Sequence, residues 1–126
     1  MDETKDYGKE LILDLHDCNP GTFNRRDIEQ YMIDLCDAIK MERCELFFWD
    51  DVGLSPEECQ TDPHLKGTSA VQFILTSNIT IHTLDILKRV YINVFSCKDF
   101  DVPIAILITV KAFGGRVVHS REIPRV

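Results

Sequence analysis

The chain has 126 residues, 44% of them apolar, enough for one domain (residues 1–126) with a buried core. Its formal charge of −7 is spread along the sequence and excludes a nucleic-acid partner, which would need clustered Lys and Arg. No apolar run approaches the roughly 18 residues of a membrane span, and the polar start Met1-Asp2-Glu3-Thr4-Lys5 is no signal peptide. The expected compartment is the cytoplasm, with no membrane partner.

Glu10 to His16 alternates loosely and reads as a first strand. Asn19-Pro20-Gly21 is a turn. From Asn24 to Met41 the spacing is helical: Ile28, Met32, Leu35 and Ile39 share a face, with Asn24 as N-cap. Cys44 to Trp49 reads as a second strand, with at least two of Phe47, Phe48 and Trp49 expected in the core. Asp51 to Lys66, with two prolines, a glycine and four acidic residues, is a long loop without periodicity. Ser69 to Leu75 and Ile79 to Leu84 read as strands three and four, and Val90 to Cys97 as a fifth. Ile104 to Phe113 is apolar throughout; Asp101 as N-cap, Pro103 in the first turn and Gly114-Gly115 at the end favour a helix. Arg116 to Ser120 is a last strand. The sum is an α+β fold: a two-layer sandwich, mainly antiparallel sheet with two helices on one face.

The five cysteines form no Cys-x-x-Cys pair, and the four histidines lack metal-ligand spacing, so no metal is expected. Cys18, Cys36 and Cys44 read as small buried hydrophobes. No role is assigned to Cys59. Chemistry gathers instead in Leu75-Thr76-Ser77-Asn78-Ile79-Thr80-Ile81-His82-Thr83, followed fifteen residues after His82 by Cys97. A β-branched residue before Ser77 and a turn-prone Asn after it suit a bend that lets the hydroxyl reach its own preceding carbonyl.

With Gly67-Thr68-Ser69-Ala70, this stretch resembles the prokaryotic, pyruvoyl-dependent S-adenosylmethionine decarboxylases. Ser77-Asn78-Ile79-Thr80-Ile81-His82-Thr83 is similar to the family's Ser-His-Leu-Thr-Ile-His-Thr, and Phe95-Ser96-Cys97 to its Phe-Thr-Cys. The likeness runs from Gly8-Lys9-Glu10-Leu11 through nearly the whole chain. It implies a proenzyme that cuts itself between Thr76 and Ser77 into residues 1–76 and 77–126. Ser77 becomes a pyruvoyl group that forms a Schiff base with substrate. His82 is the processing base, Ser69 supports processing and Cys97 donates a proton. No metal or external cofactor is implied, the assembly is a homodimer, and the product feeds spermidine synthesis.

Departures cluster around substrate binding. Thr76 and Asn78 stand where the family has Glu and His, and Leu84-Asp85-Ile86 where it has Trp-Pro-Glu. Asp85 and Trp49 are candidate replacements for the lost carboxylate and aromatic. The same scaffold acting on another amino acid, arginine or ornithine, and a non-catalytic regulatory homologue are the alternatives.

Overall fold

Hydrophobic alternation along six segments builds a single antiparallel sheet, and two helices close one of its faces. The protein is described by a computed structural model covering residues 5–126; the polar start Met1 to Thr4 lies outside the described residues. The strands are β1 (Gly8–His16), β2 (Arg43–Trp49), β3 (Gly67–Ile74), β4 (Ser77–Leu84), β5 (Arg89–Ser96) and β6 (Arg116–Arg125). Their spatial order is β2-β3-β4-β5-β1-β6. The helices are α1 (Arg25–Ala38) and α2 (Val102–Phe113), so the two-layer α+β architecture expected from the sequence is the one observed. No helix among the described residues is long and apolar enough to cross a membrane.

Period-2 alternation assigns each strand residue to a face. Leu11, Leu13 and Leu15 of β1, Ile79 and Ile81 of β4, and Val90, Ile92 and Val94 of β5 are buried. They form one core with Ile28, Met32 and Leu35 of α1 and Ala105 and Phe113 of α2. Tyr31 ties the helices together, its hydroxyl 2.7 Å from Thr109 Oγ1 and its ring edge-on to Phe113 at 4.8 Å.

Both helices start where the sequence says they should. Asn24 is extended, and its Oδ1 accepts from the Asp27 N–H at 2.8 Å. Asp101 accepts from the Ile104 N–H at 3.0 Å, with proline in the first turn. Because an N-cap satisfies a donor the helix cannot, Asn24→Ala should cost about 1 kcal/mol. On a chain of this size that lowers the melting temperature by about 4 °C in a thermal scan.

Two expectations fail in β2. Phe47 and Trp49 are each 59% exposed, and only Phe48 packs against the core. Cys44, expected to be buried, is exposed, unlike Cys18 and Cys36. The cause is a register shift between Arg43 and Leu46. The buried Gln72 of β3 holds it by donating to the carbonyls of Cys44 at 3.1 Å and Glu45 at 3.3 Å. The shift turns Leu46 and Phe48 toward the helices, and Phe47 and Trp49 toward the open face of the sheet. β6 also runs five residues beyond the expected Ser120, pairing with β1 out to Arg125.

Candidate active site

The β3–β4 hairpin carries three of the expected residues. Ile74 pairs with Ser77 and Ser69 with His82, leaving only Leu75 and Thr76 in the turn. Closing so short a turn drives Thr76 into the left-handed region, with φ 55°. A β-branched side chain is disfavoured there, so the strain sits at Thr76, the residue just before Ser77.

Ser77 faces the helix layer, buried in alternation with Ile79, Ile81 and Thr83. The Cys97 backbone N–H, at the end of β5, donates to Ser77 Oγ at 2.9 Å. Cys97 Sγ lies 4.0 Å from the Leu75 carbonyl oxygen. The Ser77 hydroxyl, and then that of Thr76, hold the Cys97 thiol below the ordinary thiol range by hydrogen bonding. Gly8 allows this corner to close, since a Cβ there would lie 1.9 Å from the Ser96 carbonyl oxygen. A cavity of about 860 Å³ opens beside Cys97, lined by Tyr7, Lys9, Asp99 and Glu122 among others. Lys9 Nζ bonds Asp99 at 2.6 Å and Glu122 at 3.4 Å; no motif in the sequence marks this group.

His82 and Ser69 form a second pair elsewhere. They are cross-strand partners on the open face, with Ser69 Oγ 2.7 Å from His82 Nδ1. In the tautomer whose Nδ1–H donates to Ser69, Nε2 keeps a lone pair free to take a proton. A cavity of about 370 Å³ sits over the pair, lined also by Trp49, His64, Gly67 and Tyr91. Gly67 cannot be replaced there without moving β4, because a Cβ would lie 1.6 Å from the Thr83 carbonyl oxygen. Tyr91, the partner of His82 on β5, belongs to the site although nothing in its sequence context marks it.

The expected residues therefore gather as two pairs, Ser77 with Cys97 and Ser69 with His82. Ser77 and His82 are five residues apart on one strand, roughly 17 Å at strand rise, and face opposite sides. Of the substrate candidates, Trp49 lines the His82 cavity. Asp85 does not: it borders a separate cavity of about 620 Å³ with Cys59 and Lys66. Burial raises the Asp85 carboxyl above the usual range, and its Oδ1 is buried without a hydrogen-bond partner.

A six-stranded antiparallel sheet covered by two helices, with a serine heading a strand behind a strained turn and a thiol beside it, defines a small α+β protein of one structural class. The crystal structure of the adenosylmethionine decarboxylase from Aquifex aeolicus shares this fold, with a TM-score of 0.74 at 16% identity over 97% of this chain and 92% of that one. The family model described as S-adenosylmethionine decarboxylase matches residues 9–126. The chain belongs to that family. No curated protein matches it.

Proposed function

We propose that this chain is the proenzyme of a pyruvoyl-dependent decarboxylase that cuts itself between Thr76 and Ser77 and acts on S-adenosylmethionine, supplying spermidine synthesis. The single observation that carries the reading is the strained, left-handed Thr76 just before Ser77, with the Ser77 hydroxyl held in place by the Cys97 N–H. Family membership supports the activity class and the choice of substrate.

The cleavage balances on the chain's own atoms. Ser77 Oγ attacks the Thr76 carbonyl carbon and passes its proton to the Ser77 nitrogen, which leaves, so an amide becomes an ester. A base then takes the proton from the Ser77 Cα, and the carbon–oxygen bond breaks with Thr76 departing as a carboxylate. The dehydroalanine left at position 77 adds water and loses ammonia, giving a pyruvoyl group at the head of residues 77–126. That carbonyl supplies the electron sink that lets an α-amino acid lose carbon dioxide. Cys97, whose backbone N–H meets Ser77 at the same corner, is the group that returns a proton, and its thiol is an acid suited to that task near neutral pH.

His82 Nε2 is the base, supported by Ser69, but within one chain it lies five residues, roughly 17 Å, along β4 from Ser77. We infer a homodimer in which each subunit lends its Ser69–His82 pair to the Ser77 of its partner. An open sheet face carrying exposed Phe47, Trp49 and Phe73 is the surface that would be covered.

One observation favours a second reading. With Asp85 outside the His82 cavity, no carboxylate of the altered Leu84-Asp85-Ile86 segment meets ribose hydroxyls there. A smaller amino acid, arginine or ornithine, is then the alternative substrate, and product analysis separates the two.

The deciding experiment is the intact mass of purified protein under denaturing, reducing conditions. Two fragments, 1–76 and 77–126, the second bearing a pyruvoyl cap, are expected. A single full-length mass overturns self-processing and brings the non-catalytic reading forward.

A further inference from the structure

We infer that Ser96 is a positioning residue for the proposed reaction: its buried hydroxyl brackets Cys97, and so sets both the N–H that holds Ser77 and the thiol beside it. The inference rests on the proposed self-cleavage at Ser77.

Strand alternation along β5 sends Val90, Ile92, Val94 and Ser96 to the helix side, where all four are buried. Three of them are apolar. The fourth is a hydroxyl in a residue with no exposed surface, which is costly unless its hydrogen bonds are made. Ser96 Oγ makes them to a single residue. It donates to the Lys98 carbonyl oxygen at 2.6 Å and accepts from the Lys98 N–H at 3.1 Å. Lys98 is two positions on, so the serine closes a tight turn around Cys97.

That turn explains where Cys97 points. β5 ends at Ser96, whose partner Lys9 is also the last on that side of the ladder. Beyond it the chain leaves the sheet, and the Cys97 N–H turns to Ser77 Oγ at 2.9 Å. The turn is tied down from the other side as well. Lys98 Nζ donates to the Lys40 carbonyl oxygen at 2.7 Å, just past the end of α1. With Lys98 pinned by backbone and side chain, Cys97 has one orientation to take. The remaining contact of Ser96 Oγ among the described residues is Met41 Sδ at 4.0 Å. None of its hydrogen bonds reaches Ser77, so it acts through Cys97.

Two substitutions of equal bulk separate the hydroxyl from the packing. Ser96→Thr keeps the hydroxyl and adds a methyl group; Ser96→Val has the same shape without the hydroxyl. Cleavage followed by intact mass should be at least about tenfold slower in Ser96→Val than in Ser96→Thr, because misplacing a reacting group is costly. Ser96→Thr should cut close to the wild-type rate. A second readout uses a His82→Ala background, in which the chain stays uncut and keeps the Ser77 hydroxyl. There the pH at which Cys97 is half alkylated by iodoacetamide, read by peptide mapping, should rise in Ser96→Val and hold in Ser96→Thr. The thiolate loses the Ser77 and Thr76 hydroxyls that stabilise it, while Lys98, its charged neighbour, stays in every variant. Circular dichroism confirms the fold, and Ser96→Ala replaces Ser96→Val if the valine chain does not fold. Equal cleavage rates in the two variants, or an alkylation profile that the loss of the hydroxyl leaves unmoved, overturns the role of Ser96. A wild-type chain that stays full-length overturns self-cleavage instead, and the alkylation profile of the uncut chain still decides whether Ser96 places Cys97.

Discussion

A His82→Ala chain expressed alone should stay uncut, and the same chain co-expressed with Ser77→Ala should be cut. In the mixed dimer the His82→Ala subunit still carries Ser77 on its strained turn, while its partner still carries Ser69 hydrogen-bonded to His82. Those are the halves that the fold keeps apart within a chain, since Ser77 and His82 stand five residues apart along β4. If the chains associate at random, about half of the His82→Ala subunits sit in mixed dimers and are open to cleavage. The Ser77→Ala subunits never are, for they lack the hydroxyl that attacks. Intact mass under denaturing conditions reads both species at once. Full-length His82→Ala in both preparations would mean that the base acts within its own chain or that His82 is not the base, and the shared site would be abandoned. Cleavage in the co-expressed sample alone leaves no route but the partner.

The split between the two pairs was legible in the sequence, and the expectation of one cluster overlooked it. Ser77 and His82 are an odd number of residues apart, and strand alternation sends odd separations to opposite faces. Ser69 and His82 follow from the same hairpin, because a two-residue turn at Leu75 and Thr76 fixes every later partner in the ladder. The helix starts at Asn24 and Asp101 were readable because capping needs a short acceptor side chain at one position only. The exposure of Phe47 and Trp49 was not readable. It depends on a register shift at Cys44 and Glu45 that Gln72 sustains from the next strand, 27 and 28 residues away. Asp85 failed for a related reason: its backbone N–H bonds the Lys66 carbonyl at 2.9 Å, which places it at the mouth of the long loop instead of over His82.

Replacing Thr76 with glycine should stabilise the uncut protein and slow its cleavage. At φ 55° a threonine carries a steric cost of about 1–2 kcal/mol that glycine does not. Part of the gain is offset by the greater freedom of glycine in the unfolded chain, leaving about 1 kcal/mol in favour of the variant. That net gain is best read in a Ser77→Ala background, where nothing is cut, as a rise in melting temperature. In the chain that keeps Ser77, the same substitution removes strain that the attack on the Thr76 carbonyl would otherwise release. If the transition state has relaxed most of it, cleavage slows roughly fivefold to tenfold. Thr76→Asn, which tolerates the left-handed region better than threonine but keeps a side chain, should fall between the two. A glycine variant that is more stable yet cuts at the wild-type rate would show that the turn's strain is retained through the transition state, leaving the hydroxyl's position under the Cys97 N–H to drive the reaction. A variant that is slower in proportion to its added stability would mean that the two-residue turn, by forcing a β-branched residue where glycine belongs, stores the energy that opens the chain at Ser77.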